Sequence, residues 1–237
     1  MKLVFASNNA HKLSEVRAMM PAGVEVLSLH EIGFEAEIEE TGKTLEENSL
    51  IKAKAVWDFI NDGMSAAKPL NDRLMVNGVF ADDTGLEIDA LNGEPGVYTA
   101  RWYYWNDGMS AAAPLNDAPA VLNDERIIFA ANRAKALREL EGKDNRECQF
   151  RTVITLIRKP TPSLPKGKEL MQVEGVVRGR IAEKEFGEGG FGYDPVFIPE
   201  GYDKTFGELP AELKNHISHR ARAIQELVRV LNDGLME

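Results

Sequence analysis

The chain has 237 residues, of which 43% are hydrophobic, and its formal net charge is -10 at pH 7. This length and this apolar content suffice for a substantial buried core, and they exclude a chain that is disordered throughout. The acidic balance excludes a broad nucleic-acid-binding surface, but it permits a small basic pocket for a compact anion.

Cysteine content and hydropathy exclude two further classes. Cys148 is the only cysteine, so neither an intrachain disulfide nor a zinc site built on cysteines can form. No segment reaches the length of a membrane-spanning helix, and the apolar run after Lys2 is too short for a signal peptide. We therefore expect a cytoplasmic protein that binds neither membranes nor nucleic acid.

The chain opens with a strand, a polar loop and a helix. Residues 2–6 form an apolar run typical of a buried strand, and residues 12–20 have helical periodicity. Backbone N–H groups at such a helix start favour an anion. The alternative is an ordinary helix cap at Asn9 with a solvated Lys12. The residues of this candidate phosphate loop are Ser7, Asn8, Asn9, Ala10, His11 and Lys12.

A second helix follows an acidic loop. Thr44 and Glu47 have the spacing of a capping box, which predicts a helix over residues 45–60. Asn48 and Lys52 are four residues apart and share one face of that helix. Glu40 in the preceding loop could join another carboxylate on a metal ion, with Lys52 facing phosphates. The alternative is a solvated acidic loop and a surface lysine.

Two adjacent carboxylates, Asp82 and Asp83, follow the apolar residues 79–81. We predict strands over 79–81 and 86–90, with the two aspartates at a strand end and Gly85 in a turn. Neighbouring negative charges repel, so such a pair often shares a cation or a proton. Magnesium is the natural candidate. The alternative is a turn with solvated acids.

The remaining periodicities predict an α/β protein with a mixed sheet. Helices are expected over residues 125–140 and 218–231, and strands over 149–157, 172–181 and 195–198. Pro160, Pro162 and Pro165 mark a long loop between two strands, most simply a hairpin connection.

A twelve-residue segment is repeated almost without change. Residues 61–72 recur as 106–117, and only Lys68 and Ala113 differ. Two copies cannot form a solenoid. Their composition suits surface loops inserted into a single domain of residues 1–237. The alternative is a duplicated binding element.

Glycines alternate with aromatic residues before the predicted strand at 195–198. Phe191, Gly192, Tyr193 and Asp194 could approach and stack on a planar base. The alternative is a tight turn with Phe191 or Tyr193 in the core.

A basic cluster lies at the start of the last predicted helix. Lys214, His219 and Arg220 suggest an anionic or carbonyl-bearing ligand in this acidic protein. The alternative is a serine-capped helix with solvated cations. The four histidines lack zinc-hydrolase spacing.

Five sequence blocks in this order resemble the inosine triphosphate pyrophosphatase family, which hydrolyses nonstandard purine nucleoside triphosphates. The blocks are SNNAHK (7–12), EETGKTLEENSLIKA (39–53), FADDTGLEIDALNGEPGVYTARW (80–102), GGFGYDPVF (189–197) and ISHR (217–220). The resemblance implies an elongated mixed sheet flanked by helices, in two lobes with an active-site cleft between them. It also implies a homodimer that converts ITP, dITP and XTP to the monophosphate and pyrophosphate with Mg²⁺.

The same resemblance implies roles for individual residues. Residues 7–12 would bind the triphosphate, with Lys52 near the phosphates. Glu40 and Asp83 would hold the magnesium ion, Asp83 would also accept the proton, and Thr84 would contact the substrate. Base and sugar would be recognised by Phe191, Gly192, Tyr193, Asp194, Lys214, His219 and Arg220. Asn8 stands where the family commonly has glycine.

Some alternatives stay open at the level of sequence. Which of Asp82 and Asp83 touches the ion is not decided, although Asp82 is expected to play a supporting or alternative role. His219 and Arg220 are candidate donors to a 6-oxo group, which adenine lacks. Competing functions are a related pyrophosphatase for other modified nucleotides and a nucleotide-binding regulator without turnover.

Overall fold

The computed structural model describes residues 1–62, 75–105, 124–159 and 169–233, which form helices around a mixed sheet. Six α-helices are seen in these ranges: α1 (Ala10–Met19), α2 (Leu45–Asp62), α3 (Trp102–Trp105), α4 (Glu125–Glu139), α5 (Ala211–Ile217) and α6 (His219–Asp233). The strands are β1 (Lys2–Phe5), β2 (Glu25–Leu27), β3 (Gly78–Ile88), β4 (Pro95–Gly96), β5 (Glu147–Arg158), β6 (Leu170–Ile181) and β7 (Phe197–Pro199). None of the described helices is long and apolar enough to cross a bilayer.

The strands form one sheet in the order β2-β1-β3-β5-β6-β7, and β4 pairs with β3 beside this path. β1 is parallel to both β2 and β3. The β3–β4 and β6–β7 pairs are antiparallel, so the sheet is mixed, as predicted. β5 and β6 are neighbours, as a hairpin connection requires.

The chain divides into two compact units. Unit 1 contains Met1–Asp83, Thr152–Gly175 and Ser218–Glu237, and unit 2 contains Thr84–Arg151 and Val176–Ile217. The long strands β3, β5 and β6 each contribute residues to both units.

In unit 1, side-chain alternation along the strands builds two separate cores. Val4, Val79 and Ala81 belong to one core, together with the α2 residues Ala53, Val56 and Ile60. Leu3, Phe5 and Phe80 belong to the other, together with Val16 of α1 and with Ile224 and Leu227 of α6. Successive strand residues face opposite sides of a sheet. The segments 3–5 of β1 and 79–81 of β3 are therefore apolar without interruption, because both faces of the sheet are covered there.

Unit 2 has a core rich in aromatic side chains. Phe150 packs against Phe197 with ring centroids 4.7 Å apart. Phe206 lies 5.2 Å from Phe197, also between ring centroids. Trp102 and Tyr193 belong to the same cluster. From the glycine- and aromatic-rich segment before β7, Tyr193 lies in this core.

The predicted break in β3 is wrong. The structure has one strand, Gly78–Ile88, that runs through Asp82, Asp83 and Gly85. Aspartate is disfavoured in strand interiors, but here each aspartate has at least one cationic partner on its own face of the sheet, as described below. The strand ends at Ile88, and Asp89–Leu91 forms a short 3-10 helix in place of the predicted strand end.

The other elements agree with prediction to within a few residues. β2, β4, α3 and α5 were not anticipated, since each is short. The first repeated insert, at 61–72, begins inside α2, because Asn61 and Asp62 continue that helix. Asn61 Nδ2 donates to the carbonyl of Trp57 at 2.8 Å, which favours the extra turn. The rest of this insert and the whole of 106–117 lie outside the described residues.

Candidate functional site

The loop after β1 is organised by the start of α1. Asn9 caps the helix, and its Oδ1 accepts a hydrogen bond from Lys12 N at 2.9 Å. Ser7 Oγ accepts from Asn9 N at 3.3 Å. Asn8, Ala10 and His11 are exposed, while Ser7 is half-buried. Asn9 is therefore the helix cap that the alternative interpretation of this loop predicted. The cap leaves the start of the helix exposed, so an anion can still bind there.

Lys12 is not a solvated lysine. Its Nζ donates to Asp82 Oδ1 at 2.9 Å, and the carboxylate of Asp82 is fully buried. The lysine thus connects the first turn of α1 to the centre of β3. A buried carboxylate requires such a partner, because an unpaired charge in the protein interior is strongly disfavoured.

Asp82 has a second cation on the same face of the sheet. Arg220 Nε donates to Asp82 Oδ2 at 3.1 Å, and Arg220 Nη1 also pairs with Glu15 of α1. Burial raises the pKa of Asp82, but Lys12 and Arg220 outweigh it and hold that pKa well below its usual range. Asp82 is therefore ionised at neutral pH, and it joins α1 to α6.

Asp83 faces the opposite side of β3, toward α2. Lys52 Nζ donates to Asp83 Oδ1 at 2.8 Å and to Glu40 Oε1 at 2.7 Å. Asn48 Nδ2 lies 3.4 Å from Asp83 Oδ2. Strand alternation thus separates two carboxylates that are adjacent in sequence. Each carboxylate therefore has its own side-chain cations, Lys12 and Arg220 for Asp82 and Lys52 for Asp83.

The environment of Asp83 differs electrostatically from that of Asp82. Burial raises the pKa of the Asp83 carboxyl, and the charge of Glu40 raises it further, although Lys52 opposes both. Lys52 is buried too, and its contacts with Asp83 and Glu40 raise its own pKa despite that burial. Lys52 is therefore held as an ammonium ion between two carboxylates.

The acidic loop is fixed to α2 by Asn48. Asn48 Oδ1 accepts from Gly42 N at 2.8 Å, while its amide nitrogen faces Asp83. A side chain at position 42 would begin only 2.6 Å from Asn48 Oδ1, so the close approach requires glycine. The helix cap is Thr44, whose Oγ1 accepts from Glu47 N at 3.1 Å. The predicted capping box is nearly complete, because Glu47 reaches Lys43 N, one residue before Thr44.

The carboxylates of Glu40 and Asp83 suit a magnesium ion. Both direct an oxygen at the same point, the Nζ of Lys52. Mg²⁺ prefers one or two carboxylates, with water and substrate phosphate completing its shell. No cluster of three or more His, Cys, Asp or Glu side chains suited to a metal occurs among the described residues, so a fully protein-built site is not found there.

His219 begins α6 next to a serine cap. Ser218 Oγ accepts from Ala221 N at 3.1 Å, which confirms the serine cap considered from the sequence. The ring of His219 is buried, and its Nδ1 lies 2.6 Å from Thr152 Oγ1 of β5. Arg220 follows it and is also buried. The side chains of His219 and Arg220 are therefore buried in the protein and are not solvated.

In unit 2, Asp194 and Lys214 form a buried pair at the glycine-rich turn. Lys214 Nζ donates to Asp194 Oδ2 at 2.6 Å, and the same oxygen accepts from Phe191 N at 2.7 Å. Lys214 Nζ also lies 4.8 Å from the ring centroid of Phe191. Gly192 O accepts from Arg133 Nη1 at 2.9 Å. Phe191 is half-buried, so part of its ring stays accessible.

Tyr193 belongs to the core of unit 2. It is 3% exposed, and its hydroxyl donates to Thr99 O at 3.2 Å. The expectation of an exposed stacking face is wrong for Tyr193 and stays possible for Phe191. Apolar burial and a satisfied hydroxyl explain its position.

The structure brings several of the predicted site residues into contact. Lys52, Glu40 and Asp83 come together, as do Lys12, Asp82 and Arg220. Lys214 belongs to unit 2, whereas His219 and Arg220 belong to unit 1. Thr84 is half-buried in β3.

Two residues near the site were missed. Glu15 stands three residues after Lys12, a spacing that places both on one side of α1. Thr152 is one of two threonines in an otherwise apolar stretch of β5. A polar residue in a strand that is buried on both faces is the signal that could have found it.

Comparison with known proteins gives consistent matches over nearly the whole chain. The sequence model of the Ham1 family matches residues 3–230. A dITP/XTP pyrophosphatase from Flavobacterium johnsoniae is 41% identical over 231 residues, covering 98% of this chain and 98% of that protein. A dITP/XTP pyrophosphatase from Bacillus subtilis is 42% identical over 231 residues, covering 96% of each.

Solved structures have the same fold. The Staphylococcus aureus Ham1 protein aligns with a TM-score of 0.70 at 34% identity, covering 98% of both chains. A nucleoside-triphosphatase described as a dITP/XTP pyrophosphatase, from Mycobacterium abscessus, has a TM-score of 0.62 at 34% identity. It covers 96% of this chain and 99% of that one.

Proposed function

The chain belongs to the Ham1 family, and we propose that it hydrolyses nonstandard purine nucleoside triphosphates, namely ITP, dITP and XTP, to the monophosphate and pyrophosphate. The relatives named dITP/XTP pyrophosphatase support this substrate class. The structural observation that carries the proposal is the ammonium of Lys52 held between Glu40 and Asp83. Phosphoryl chemistry needs both positive charge and a proton acceptor, and this group provides both.

The phosphates would bind at the start of α1. The exposed backbone around Asn8 and Ala10 and the dipole of a ten-residue helix favour an anion there. Lys12 lies in the same turn, with its ammonium on Asp82. We propose that Lys12 and Lys52 stabilise the charge that develops on the phosphate oxygens.

Asp83 is the proposed general base. Attack by water on the α-phosphorus releases pyrophosphate and requires a group that takes the proton of the attacking water. Burial raises the pKa of Asp83, which strengthens it as a base relative to an exposed carboxylate. Asp82 is a poor candidate, because its ion pairs lower its pKa and occupy both of its oxygens.

We further propose that the reaction depends on magnesium held by Glu40 and Asp83. When bound, Mg²⁺ supplies positive charge to the phosphate oxygens. Lys52 contacts both proposed ligands. When Mg²⁺ binds, the ammonium of Lys52 must therefore share the carboxylate oxygens with the ion or move away from them. The expectations of a homodimer and of a cytoplasmic location stay predictions.

The nucleobase would be selected by its 6-oxo group. His219 is the better of the two proposed donors, because Nε and Nη1 of Arg220 already bind Asp82 and Glu15. Phe191 is the proposed stacking surface. The roles proposed for Thr84, Gly192, Asp194 and Lys214 rest on the family resemblance.

The test is a substrate panel with product identification. ITP, XTP, dITP, ATP, GTP and dTTP are compared with and without Mg²⁺, and pyrophosphate is distinguished from orthophosphate. We expect pyrophosphate from the first three, and at least a hundredfold loss of kcat in Asp83→Asn. Orthophosphate as the first product rules out attack at the α-phosphorus. ITP binding without turnover supports a nucleotide-binding regulator instead, and a preference for dTTP supports the related pyrophosphatase.

A further inference from the structure

The buried hydroxyl of Thr152 touches the histidine that is proposed to read the base. Thr152 Oγ1 lies 2.6 Å from His219 Nδ1, and both side chains are almost completely buried. Thr152 comes from the middle of β5 and His219 from the first position of α6. The contact therefore joins two elements of unit 1 that are far apart in sequence.

The backbone of His219 is fixed by a second, independent feature. Gly175 of β6 lies against the start of α6 so closely that a side-chain carbon there would overlap the carbonyl oxygen of His219 and the nitrogen of Ala223. The helix start rests directly on the strand backbone. With the backbone held by this contact, the rotation and the tautomer of the His219 ring are the features on which a side-chain neighbour can act.

The hydroxyl of Thr152 can set both the rotation and the tautomer of the His219 ring. A neutral imidazole has one N–H donor and one bare acceptor nitrogen, and a hydrogen bond at one nitrogen selects which is which. If the hydroxyl donates to Nδ1, the proton lies on Nε2, and Nε2 can then donate to an oxygen. If Nδ1–H donates to the hydroxyl, the Nε2 of a neutral ring is an acceptor and suits an amino group.

We propose that Thr152 is a positioning and specificity residue that holds His219 in its Nε2–H form, ready to donate to the 6-oxo group of hypoxanthine or xanthine. This inference rests on the proposed function, which supplies the 6-oxo substrate. The adenine 6-amino group offers a donor where the ring also has a donor, so the same tautomer disfavours ATP. Thr152 acts through His219 and does not itself touch the base.

Two variants of Thr152 separate the hydroxyl from the volume of the side chain. Thr152→Val has nearly the same shape and no hydroxyl, whereas Thr152→Ser keeps the hydroxyl. Thr152→Ala serves if the valine variant does not fold. Thr155→Val is the matched control, because Thr155 is a fully buried threonine of the same strand whose hydroxyl contacts Ser49 and Gln172 instead.

The first readout is the tautomer of His219 in the free protein, which needs no substrate. Imidazole ¹⁵N shifts of histidine-labelled protein report which nitrogen carries the proton, and His219→Gln assigns the signal among the four histidines. We expect the Nε2–H form in the wild type, in Thr152→Ser and in Thr155→Val, and a mixture of tautomers in Thr152→Val. An Nδ1–H form in the wild type, or an unchanged signal in Thr152→Val, overturns the proposal.

The second readout is selectivity, taken as the ratio of kcat/KM for ITP to that for ATP. One hydrogen bond between neutral groups contributes about 0.5–1.5 kcal/mol, so Thr152→Val should lower this ratio by roughly two- to tenfold. Thr152→Ser should restore it, and Thr155→Val should leave it at the wild-type value. A ratio unchanged in Thr152→Val overturns the specificity role. If the wild type hydrolyses no ITP, the proposed function fails, and the ¹⁵N readout still decides whether Thr152 sets the tautomer.

Discussion

Replacing Asp82 by asparagine should destabilise the protein much more than the same replacement at Asp83. The carboxylate of Asp82 is fully buried and is bound by Lys12 and Arg220, neither of which has more than 17% of its side chain exposed. Removing one partner from a buried ion pair costs about 3–5 kcal/mol, because the remaining charges stay buried without compensation. We expect Asp82→Asn to lose free energy of unfolding in this range.

Asp83→Asn is the matched control, since it is the same chemical change one residue further along the same strand. Burial raises the pKa of Asp83, so the folded state disfavours its ionised form. Lys52 keeps Glu40 as a partner when the charge at position 83 is removed. The stability change should therefore stay within about 1 kcal/mol, the usual range for a modest substitution. Its activity, however, should be nearly abolished.

Urea unfolding in EDTA measures the difference without metal binding. With a slope of about 1–3 kcal/mol per molar urea, the midpoint of Asp82→Asn should fall by roughly 1 M or more. The pKa of Asp82 is lower in the folded state than in the unfolded state, where it is about 3.9. The contribution of Asp82 to the free energy of unfolding is therefore complete above the unfolded-state pKa. It is lost as the pH falls through the folded-state pKa. The gap between wild type and Asp82→Asn should shrink from pH 6 toward pH 3. Equal destabilisation by the two asparagine variants, or a gap that widens in acid, refutes the assignment of one permanently paired and one poised aspartate.

Three further outcomes follow from other contacts. Glu15→Gln removes one carboxylate from Arg220 and should lower the free energy of unfolding by about 1.5–3 kcal/mol in a urea titration. Gly175→Ala forces the start of α6 away from β6 and should lower the free energy of unfolding by about 3 kcal/mol or more. In Gly142→Ala the new side chain meets no neighbouring atom. That control should lose only the strain of its left-handed backbone, about 1–2 kcal/mol. Tyr193→Phe should lower the melting temperature, because it removes the hydrogen bond of the Tyr193 hydroxyl. It should leave the KM for ITP unchanged, since the ring lies in the core. A raised KM would show that Tyr193 contributes to substrate binding.

Local patterns predicted much of this fold because they depend on neighbours in sequence. The cap at Asn9 and the cap at Thr44 follow from side chains three residues from their hydrogen-bond partners. The long helices and strands follow from apolar periodicity. The short elements β2 and α3 have too few residues for a period to be recognised, so their positions are set by tertiary contacts.

The error at Asp82 and Asp83 has a physical cause that extends to the site as a whole. Strand propensity describes an aspartate without partners, and the partners of these two residues come from distant parts of the chain. Lys12 and Arg220 reach Asp82 from one face, and Lys52 reaches Asp83 from the other. Once the cations are present, a continuous strand is the arrangement that keeps the two carboxylates apart, because consecutive residues must face opposite sides. A turn at Gly85 would have removed that separation. The strand therefore gives two like residues different environments: Asp82 joins two helices as a buried, paired charge, and Asp83, beside Glu40, is the carboxylate proposed to bind the cation and to accept the proton.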